Sequence, residues 1–328
     1  MKTRQLGKNG PQVSEISLGC MSFAGFYGKT DQAEAFACLD AARDAGIDFL
    51  DTSDLYGAGL SETWIGAYQK ERGYRFKIAT KGGIVLGAPR GTADNSEAYL
   101  REHLAASMDR LGVDHVELYY VHRREFSRPI EEVAETLDKL RQEGLIGAIG
   151  LSEIAPTTLR RAASVTHVDA VQNEYSLWSR QPELGLIQAC EELGTAFVPF
   201  SPLGRGILGD VDLDPAQFGD RDFRKANPRF QGENFAANMD YVRAFRAFCA
   251  ARDWPTAATA VAWTLDQSAI NIPIPGTRTA SHLKELAKAS DITFSDADRA
   301  ELSALLPAGW AHGDRYSDAQ IVGIERYC

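Results

Sequence analysis

The sequence of 328 residues has no long hydrophobic run and no excess of positive charge. A membrane-spanning helix needs about 20 consecutive apolar residues, and no stretch of the chain approaches that length. Acidic residues outnumber basic ones by 45 to 35, and the net charge of −10 argues against general binding to nucleic acid. The N-terminal residues include basic ones but lack the apolar core of a signal peptide. We therefore expect a soluble, cytoplasmic protein without nucleic-acid or membrane partners.

Cysteine is scarce, and its pattern indicates neither disulfides nor zinc. The five cysteines form no CxxC pair, and an odd number at wide spacing provides no disulfide framework. We expect reduced, mostly buried thiols, with an exposed and oxidisable thiol only at the terminal Cys328. The histidines other than His122 lack metal-ligand spacing with one another, and most are interpreted as surface or helix-end residues. They are His103, His115, His167, His282 and His312.

One pattern recurs four times along the chain: an amphipathic helix, a glycine, and a short apolar strand that ends in a polar side chain. The glycines are Gly46, Gly112, Gly144 and Gly194. Glycine just past a helix can adopt the left-handed conformation that satisfies the last helical carbonyls. Apolar runs without alternation are typical of strands buried on both faces, as in a parallel sheet. Strands that alternate with helices throughout predict an α/β fold.

Eight strands and eight helices can be counted, which predicts one (β/α)8 TIM-barrel domain over residues 1–328. The Asn9-Gly10 turn signal predicts an N-terminal β-hairpin from residues 2–8 and 12–18. The polar segment 204–239 lacks a helical period and predicts a long functional or mobile loop. A last helix over 295–305 and the tail after it are predicted to lie over the barrel mouth. The predicted barrel strands are 16–19, 49–51, 76–80, 118–121, 148–151, 170–172, 197–200 and 270–274.

Helix boundaries follow from capping residues and apolar spacing. Thr30 is predicted to cap the first helix, and Pro129 and Pro156 to begin the fourth and fifth. Leu184 is predicted to lie in the sixth helix. Two helices are expected after the long loop, over about 239–252 and 258–266, and the eighth barrel helix near residue 279.

Polar side chains follow the predicted strands, and the strand ends of a closed parallel barrel share one rim where chemistry is built. Asp51, Lys81 and His122 end three consecutive strands, and Tyr56 lies in the loop after Asp51. A phenol rarely exchanges a proton at pH 7 unaided, but a nearby ammonium lowers its pKa. We predict that Tyr56 is a general acid whose pKa Lys81 lowers. Asp51 would anchor Lys81, and His122 would orient a carbonyl oxygen by hydrogen bonding.

Each of these residues also has an ordinary structural interpretation. Asp51 could cap the next segment, and Tyr56 could be a loop aromatic. Lys81 could lie in a solvated turn, and His122 could belong to a basic surface corner. Their positions at three consecutive strand ends favour the functional interpretation. A different chemistry, that of a lyase or aldolase with Lys81 as Schiff-base nucleophile, requires a lowered lysine pKa, which a nearby Asp51 would oppose.

Seven segments resemble the aldo-keto reductase family and follow one another from the first strand region to the eighth helix. They are GIDFLDTSDLYGAGLSE, KIATKGG, LYYVHR, GAIGLSE, VQNEYSLWSR, VPFSPLGRGIL and NIPIPGTR. The spacing of Asp51, Tyr56, Lys81 and His122 matches the family's catalytic tetrad. SLWSR and SPLGRGIL resemble the branch with a long loop after the seventh strand, related to plant and microbial members. The resemblance implies reduction of an aldehyde or ketone to an alcohol by NADPH on a (β/α)8 barrel, without a metal.

The resemblance also implies which residues hold NADPH or NADP+, since no Rossmann GxGxxG motif follows a strand. Ser152 and Gln172 match positions that bond the nicotinamide carboxamide, and Phe200 matches the ring that stacks on the nicotinamide. The positions along the pyrophosphate are Ser201, Leu203, Gly204 and Arg205. Those near the 2′-phosphate and adenine are Gly276, Thr277, Arg278, His282 and Glu285. The chain departs from the family at Glu153 and Leu286, where asparagine is frequent.

The substrate and the oligomeric state are left open by the sequence. Arg123 and Arg124 could pair with an anionic substituent, and the aromatic candidates suit an apolar or planar carbonyl compound. A regulatory subunit that binds NADPH with little turnover is the alternative function. The candidate pocket residues are Met21, Phe23, Phe26, Tyr27, Trp64, Ile84, Arg123, Arg124 and Trp178.

Overall fold

The computed structural model describes residues 1–220 and 222–327, so Arg221 of the predicted long loop and the thiol of Cys328 lie outside the described residues. An antiparallel hairpin of β1 (Thr3–Gln5) and β2 (Gln12–Ser14) precedes the barrel, as predicted. Its connection is longer than a two-residue Asn-Gly turn, because Gln5 pairs with Gln12 and residues 6–11 link the strands.

Parallel strands in chain order form a curled sheet of seven. Residues 271–276 then run between the last and the first of these strands and form bridges to both, so that the chain closes into the predicted eight-stranded barrel. The seven strands are β3 (Leu18–Gly19), β4 (Phe49–Asp51), β5 (Lys77–Gly82), β6 (Leu118–Val121), β7 (Ile149–Ser152), β8 (Ala170–Gln172) and β9 (Ala196–Phe197).

Two prolines explain why the eighth strand pairs only in part with β3. Pro273 and Pro275 have no N–H to donate. Their carbonyl oxygens accept from the N–H groups of Ser17 (3.0 Å) and Gly19 (3.1 Å). The isoleucines that alternate with the prolines donate instead toward the β9 side. The prolines therefore lie where a missing donor leaves the closure of the barrel intact.

Helices cover the outside of the barrel. The four predicted glycines after helices all have left-handed φ, from 67° to 77°. In the described part of the chain the α-helices are α1 (Gln32–Asp44), α2 (Leu60–Arg72), α3 (Glu97–Leu111), α4 (Ile130–Gln142), α5 (Pro156–Ala163), α6 (Leu186–Leu193), α7 (Gly232–Ala250), α8 (Thr256–Asp266), α9 (Ala280–Ala287) and α10 (Asp296–Leu305).

Several predicted boundaries are wrong by a few residues. Asp31, and not Thr30, caps α1, because its carboxylate accepts from the Glu34 N–H at 2.9 Å. Leu184 lies before α6 and is exposed. Helix α7 begins at Gly232, inside the segment predicted to lack a helix. Strand β5 continues two residues past its predicted end, which places Lys81 within a strand instead of a turn.

Two buried clusters hold the fold together. One lies between the strands and the helices, and the other fills the barrel interior, where Phe49 and Tyr120 pack among alanines from neighbouring strands. Gly150 is required there, since an added Cβ would lie 2.3 Å from the Tyr120 ring. Cys20, Cys38, Cys190 and Cys249 are free and buried, as predicted.

The tail after α10 crosses the barrel mouth, as predicted. Trp310 donates from Nε1 to the Leu177 carbonyl at 2.7 Å and stacks on Trp178 with 6.2 Å between ring centroids. The prediction that the helix itself lies over the mouth is wrong, because α10 pairs with Arg252, just after α7, through Asp298 (2.7 Å) and with Asp266 of α8 through Arg299 (2.8 Å).

Within the described ranges, none of the helices combines the length and the apolar character that crossing a membrane requires. Nor does any group of three His, Cys, Asp or Glu side chains in those ranges stand close enough to hold a metal ion.

Candidate active site

Side chains from successive strand ends meet at the carboxyl end of the barrel. Asp51 ends β4, Lys81 lies near the end of β5, and His122 follows β6. Ser152 and Gln172 end β7 and β8 and are direct partners in the parallel register. A cavity of about 820 Å³ opens over this rim, and four of the five line it, whereas Lys81 is buried behind its wall.

The Lys81 ammonium joins an acid to a phenol. Its Nζ is fully buried and forms an ion pair with Asp51. It also donates to the Thr52 carbonyl oxygen at 2.8 Å and to the Tyr56 hydroxyl at 3.3 Å. The second carboxylate oxygen of Asp51 accepts from Gln172 Nε2 at 2.7 Å. The predicted grouping of Asp51, Tyr56 and Lys81 is therefore present in the structure.

Burial and charge act in opposite directions on these groups. Burial alone would lower the pKa of Lys81, but Asp51 and Tyr56 outweigh it and the pKa is raised. Burial raises the pKa of Asp51, although Lys81 and Gln172 oppose the increase. Burial also raises the pKa of Tyr56, and Lys81 offsets only part of the increase. Lys81 thus lowers the pKa of Tyr56 as predicted, but the net shift is upward, because removing a phenolate from water is the larger effect.

His122 lies beside Tyr56, with 5.9 Å between ring centroids and an interplanar angle of 83°. Burial lowers its pKa well below the usual value, and the positive charges of Arg123 and Lys81 lower it further. The imidazole is therefore neutral at pH 7 and carries one N–H. The Nδ1 atom of His122 lies 3.1 Å from Ser53 Oγ. The other ring nitrogen, Nε2, is therefore the one that does not contact Ser53.

Most of the predicted cofactor residues lie on the wall of the same cavity, which extends from the tetrad to the start of α9. Gly204 is the exception. Its φ is 55°, and an added Cβ would lie 2.7 Å from the Trp178 ring, so this glycine shapes the turn rather than the wall. The predicted residues on the wall are Ser152, Gln172, Phe200, Ser201, Leu203, Arg205, Gly276, Thr277, Arg278, His282 and Glu285.

The far end of the cavity has the features of an anion site. Arg278 donates to the Tyr27 carbonyl at 2.7 Å and forms no ion pair with any described carboxylate. Thr279 occupies the N-cap position of α9, and its buried Oγ1 has no hydrogen-bond partner among the described residues. A guanidinium beside a helix N-terminus attracts phosphate. The residues present therefore fit the phosphate end of a dinucleotide.

Comparison with known proteins identifies the family. Residues 15–307 match the aldo/keto reductase family. The chain belongs to this family. It is 37% identical over 321 residues to aldo-keto reductase yakc of Schizosaccharomyces pombe, whose name includes NADP(+), with 96% of this chain and 94% of the relative covered. It is 36% identical over 318 residues to probable aldo-keto reductase 1 of Glycine max, covering 95% and 91%.

Solved structures of aldo/keto reductases share the fold. Glycerol dehydrogenase AKR11B4 from Gluconobacter oxydans superimposes with a TM-score of 0.84 at 26% identity, covering 93% of this chain and 94% of that one. The holo form of aldo-keto reductase AKR11C1 from Bacillus halodurans gives 0.78 at 28% identity, covering 94% and 97%. The (β/α)8 prediction is confirmed.

The Arg205 guanidinium contacts protein side chains, although the sequence predicts that it lies along the pyrophosphate. It donates to Glu174 Oε2 at 2.9 Å and lies over the rings of Phe223 (4.6 Å) and Tyr316 (4.8 Å). The backbone is left-handed here, with φ of 60°. The charge of Arg205 is already paired and its side chain is buried, in contrast to Arg278, so its role along the pyrophosphate stays a prediction.

The departure from the family at Glu153 has a structural explanation. Glu153 Oε2 accepts from Arg315 Nη2 at 2.6 Å, and its Oε1 accepts from the Glu174 N–H at 2.9 Å. Arg315 also pairs with Glu174 at 3.2 Å. A neutral asparagine would not supply the second negative charge that this buried arginine requires. Glu153 thus attaches the C-terminal tail to the rim and does not line the cavity.

A second ion pair attaches the tail and involves one of the predicted pocket residues. Arg124 pairs with Glu325, whose carboxylate also accepts from the Ala155 N–H (2.6 Å) and the Thr158 hydroxyl (2.8 Å). Arg124 is therefore committed to the tail. Of the other candidates, Met21, Phe26, Tyr27, Ile84 and Arg123 line the cavity, whereas Phe23, Trp64 and Trp178 pack in or against the core.

Sequence reasoning missed several residues of the site. Thr279 and Arg90 lie on the cavity wall, but neither belongs to a sequence motif that indicates ligand binding. Tyr316 and Ile324 come from the tail, beyond the last family motif. His103 pairs with Asp54 at 2.7 Å and is not simply a surface or helix-end residue. Only the helical spacing of His103 was visible in the sequence, and spacing does not show which loop faces a helix.

The buried ion cluster at the mouth predicts acid sensitivity. Burial alone would raise the pKa of Glu174, but Arg205, Arg315 and Arg229 lower it to about 2, from a usual 4.5. This carboxylate therefore stabilises the fold fully above the unfolded-state pKa, and the contribution is lost as the pH falls from 4.5 toward 2. We expect Glu174→Gln to be about 3 kcal/mol less stable at pH 7, with a difference that shrinks on acidification, measured by urea unfolding.

The control is Glu233→Gln, which removes an exposed glutamate of α7. Its stability should stay close to that of the parent throughout the pH range. A deficit in Glu174→Gln that stayed constant down to the lowest pH at which the protein folds would contradict the prediction.

Proposed function

We propose that this aldo/keto reductase reduces an aldehyde or ketone to an alcohol with NADPH, and that Tyr56 donates the proton. The supporting observation is the fully buried ammonium of Lys81, which joins Asp51 to the Tyr56 hydroxyl next to a neutral His122. The NADP(+) in the name of the fission-yeast relative supports the choice of cofactor. We also propose a cytoplasmic location.

The cavity residues fit NADPH, which when bound supplies a hydride to the carbonyl carbon. Ser152 and Gln172 would hold the carboxamide, and Phe200 would lie against the nicotinamide ring. The turn with Ser201, Leu203 and Gly204 would follow the pyrophosphate. At the far end, Arg278 and the unpartnered Thr279 hydroxyl would hold the 2′-phosphate, with Gly276, Thr277, His282 and Glu285 around the adenosine.

The tetrad residues divide the proton chemistry among them. The raised pKa keeps the Tyr56 hydroxyl protonated and ready to donate to the alkoxide oxygen that develops. Lys81, 3.3 Å away, stabilises the phenolate that remains. Asp51 contributes to the raised pKa that keeps Lys81 charged. The single N–H of neutral His122 can orient the carbonyl oxygen if it is on the nitrogen that faces the cavity.

The two alternatives from the sequence receive less support. A Schiff-base nucleophile must lose its proton, but Lys81 donates three hydrogen bonds and its pKa is raised. A regulatory subunit with little turnover would not need the tetrad, and in this chain the tetrad is complete beside an open cavity.

Replacing Tyr56 with Phe should remove the proton donor and leave the cofactor site intact. We expect Tyr56→Phe to lower kcat for an aldehyde such as 4-nitrobenzaldehyde by at least about a hundredfold, the low end for general acid catalysis. Consumption of NADPH is followed by absorbance, and NADPH affinity, followed by fluorescence, should be unchanged.

Tyr120→Phe is the matched control, because the Tyr120 ring lies 5.8 Å from the same ammonium without being the predicted donor. It should retain turnover. If Tyr56→Phe reduced the aldehyde as fast as the parent, another group would be the acid.

Replacing Arg278 should weaken binding of NADPH more than of NADH, since only NADPH carries the 2′-phosphate. A hydrogen bond to a charged group contributes about 1.5–3 kcal/mol, so we expect Arg278→Gln to raise the Kd of NADPH about tenfold or more. Fluorescence titration with both cofactors measures the difference.

Arg243→Gln, which removes an exposed arginine of α7, should change neither affinity. An equal loss of NADPH and NADH affinity in Arg278→Gln would place the 2′-phosphate elsewhere.

A further inference from the structure

Arginines are frequent on the cavity wall, and they divide into paired and unpaired groups. Arg205 pairs with Glu174 at 2.9 Å, and Arg224 with Asp222 at 2.6 Å. Arg90, Arg123 and Arg278 line the same cavity but form no ion pair with any described carboxylate. Arg278 lies at the phosphate end, so the other two are positive charges without an assigned partner.

Arg123 lies on the catalytic side of the cavity. It directly follows His122, and its Nη1 donates to the His122 carbonyl at 2.5 Å and to Ser152 Oγ at 3.2 Å. These bonds use one of its nitrogens and leave the rest of the guanidinium fork available. Arg90 is exposed at the cavity mouth, with its guanidinium 5.4 Å from the Phe223 ring centroid.

We propose that the substrate of this enzyme is an aldehyde or ketone that carries a carboxylate, which Arg90 and Arg123 bind. A guanidinium can hold a carboxylate through two parallel hydrogen bonds. The hydrocarbon part would lie against apolar groups of the wall, among them Met21, Phe26, Leu55, Val322 and Ile324. The inference rests on the proposed function, because it assigns the substrate class of the same site.

The experiment compares two aldehydes of nearly equal shape, 4-carboxybenzaldehyde and the neutral 4-formylbenzamide, with NADPH. We expect kcat/KM to favour the carboxylate by about tenfold, the low end for a hydrogen bond to a charged group. Because salt screens exposed charges, the preference should shrink as the ionic strength rises.

Variants test whether these arginines cause the preference. Arg90→Gln, alone and combined with Arg123→Gln, should lower the ratio of the two kcat/KM values toward one, and Arg90→Lys should restore part of it. The ratio cancels general damage to the site, since both aldehydes react there. Reduction of both aldehydes at equal rates by the parent would overturn the anion site, whereas reduction of neither would overturn the proposed function instead.

A second inference comes from a separate observation, a chain of hydrogen bonds behind His122. His122 Nδ1 lies 3.1 Å from Ser53 Oγ, which lies 3.1 Å from Asp54 Oδ1. The other Asp54 oxygen lies 2.7 Å from His103 Nδ1. Ser53 and Asp54 are buried, and the His103 side chain is 22% exposed. The chain thus connects the active site to a group near solvent.

Counting protons gives this chain two states. The Ser53 hydroxyl has one proton, and its oxygen already accepts from the Leu55 N–H at 3.1 Å. When Asp54 is ionised, its carboxylate accepts the hydrogen bond from the Ser53 hydroxyl. Ser53 can then only accept from Nδ1 of His122, so the imidazole proton is on Nδ1 and Nε2 is unprotonated. When the residue at position 54 donates instead, Ser53 can donate to His122 Nδ1, which at 3.1 Å is nearer than its other acceptor, the Lys81 carbonyl oxygen at 3.4 Å. The imidazole proton then resides on Nε2.

We infer that Asp54, together with His103 and through Ser53, sets the tautomer of His122 and acts as a positioning residue that does not touch substrate. An N–H at Nε2, the nitrogen opposite Ser53, is the one that can orient a carbonyl oxygen. The charged and titratable groups that influence the two ends of the chain are Asp94, Tyr99, Glu102 and Tyr119 near Asp54 and His103, and Lys81 and Arg123 near His122.

Asp54→Asn is the informative variant, because an amide can accept from His103 through its oxygen and donate to Ser53 through its nitrogen. We expect histidine ¹⁵N NMR of the full chain with NADP+ to show His122 protonated at Nδ1 in the parent at alkaline pH, where Asp54 is ionised. In Asp54→Asn the Nε2 resonance should shift from the unprotonated to the protonated range. His122→Asn identifies the resonances.

Activity provides a second measurement. The parent's kcat should fall as the pH rises through the pKa of Asp54, which burial raises above its usual value, and Asp54→Asn should lack this step. Ser53→Ala interrupts the chain, so in its background substitution at position 54 should no longer change the His122 tautomer. The same tautomer in the parent and Asp54→Asn would overturn the inference.

Discussion

The active site depends on one buried ion pair, between Lys81 and Asp51. An ammonium that is fully removed from water is stable only if a negative charge and further acceptors surround it. Here Asp51, the Thr52 carbonyl and the Tyr56 hydroxyl fill that requirement. The same contacts place the phenol at the cavity wall and keep the ammonium charged. Because Asp51 also accepts from Gln172, the pair is connected to β8, which lies across the barrel from β4.

Charge pairing at the mouth organises the rest of the site. The tail is attached through Arg315 to Glu153 and Glu174, and through Glu325 to Arg124, and it contributes part of the cavity wall. Glu153, Ser201 and Arg205 hold left-handed φ angles without being glycine, which is a strain that packed surroundings must maintain. Most cations of the mouth are thus used for structure, and the few that stay unpaired are the ones to which we assign ligands.

Family membership and site geometry support each other at different levels. The matches over nearly the whole chain show an oxidoreductase family and its barrel. The contacts of this chain add what the family alone does not give. They show a phenol whose pKa is raised by burial more than the adjacent ammonium lowers it. They also show a histidine whose Nδ1 is connected through Ser53 to Asp54 and His103. The single domain over residues 1–328 stays a prediction.

The sequence by itself determined the order of strands and helices, the helix-ending glycines, the N-terminal hairpin and the grouping of Asp51, Tyr56, Lys81 and His122. These features follow from local propensities and from the rule that parallel strand ends share one rim. Only the tertiary structure decided that Arg205 is paired, that Glu153 holds Arg315, that Arg124 holds the tail, and that His103 reaches Asp54. Those contacts join residues far apart in the chain, and desolvation depends on everything packed around a group. Neither is encoded in the spacing of neighbouring residues.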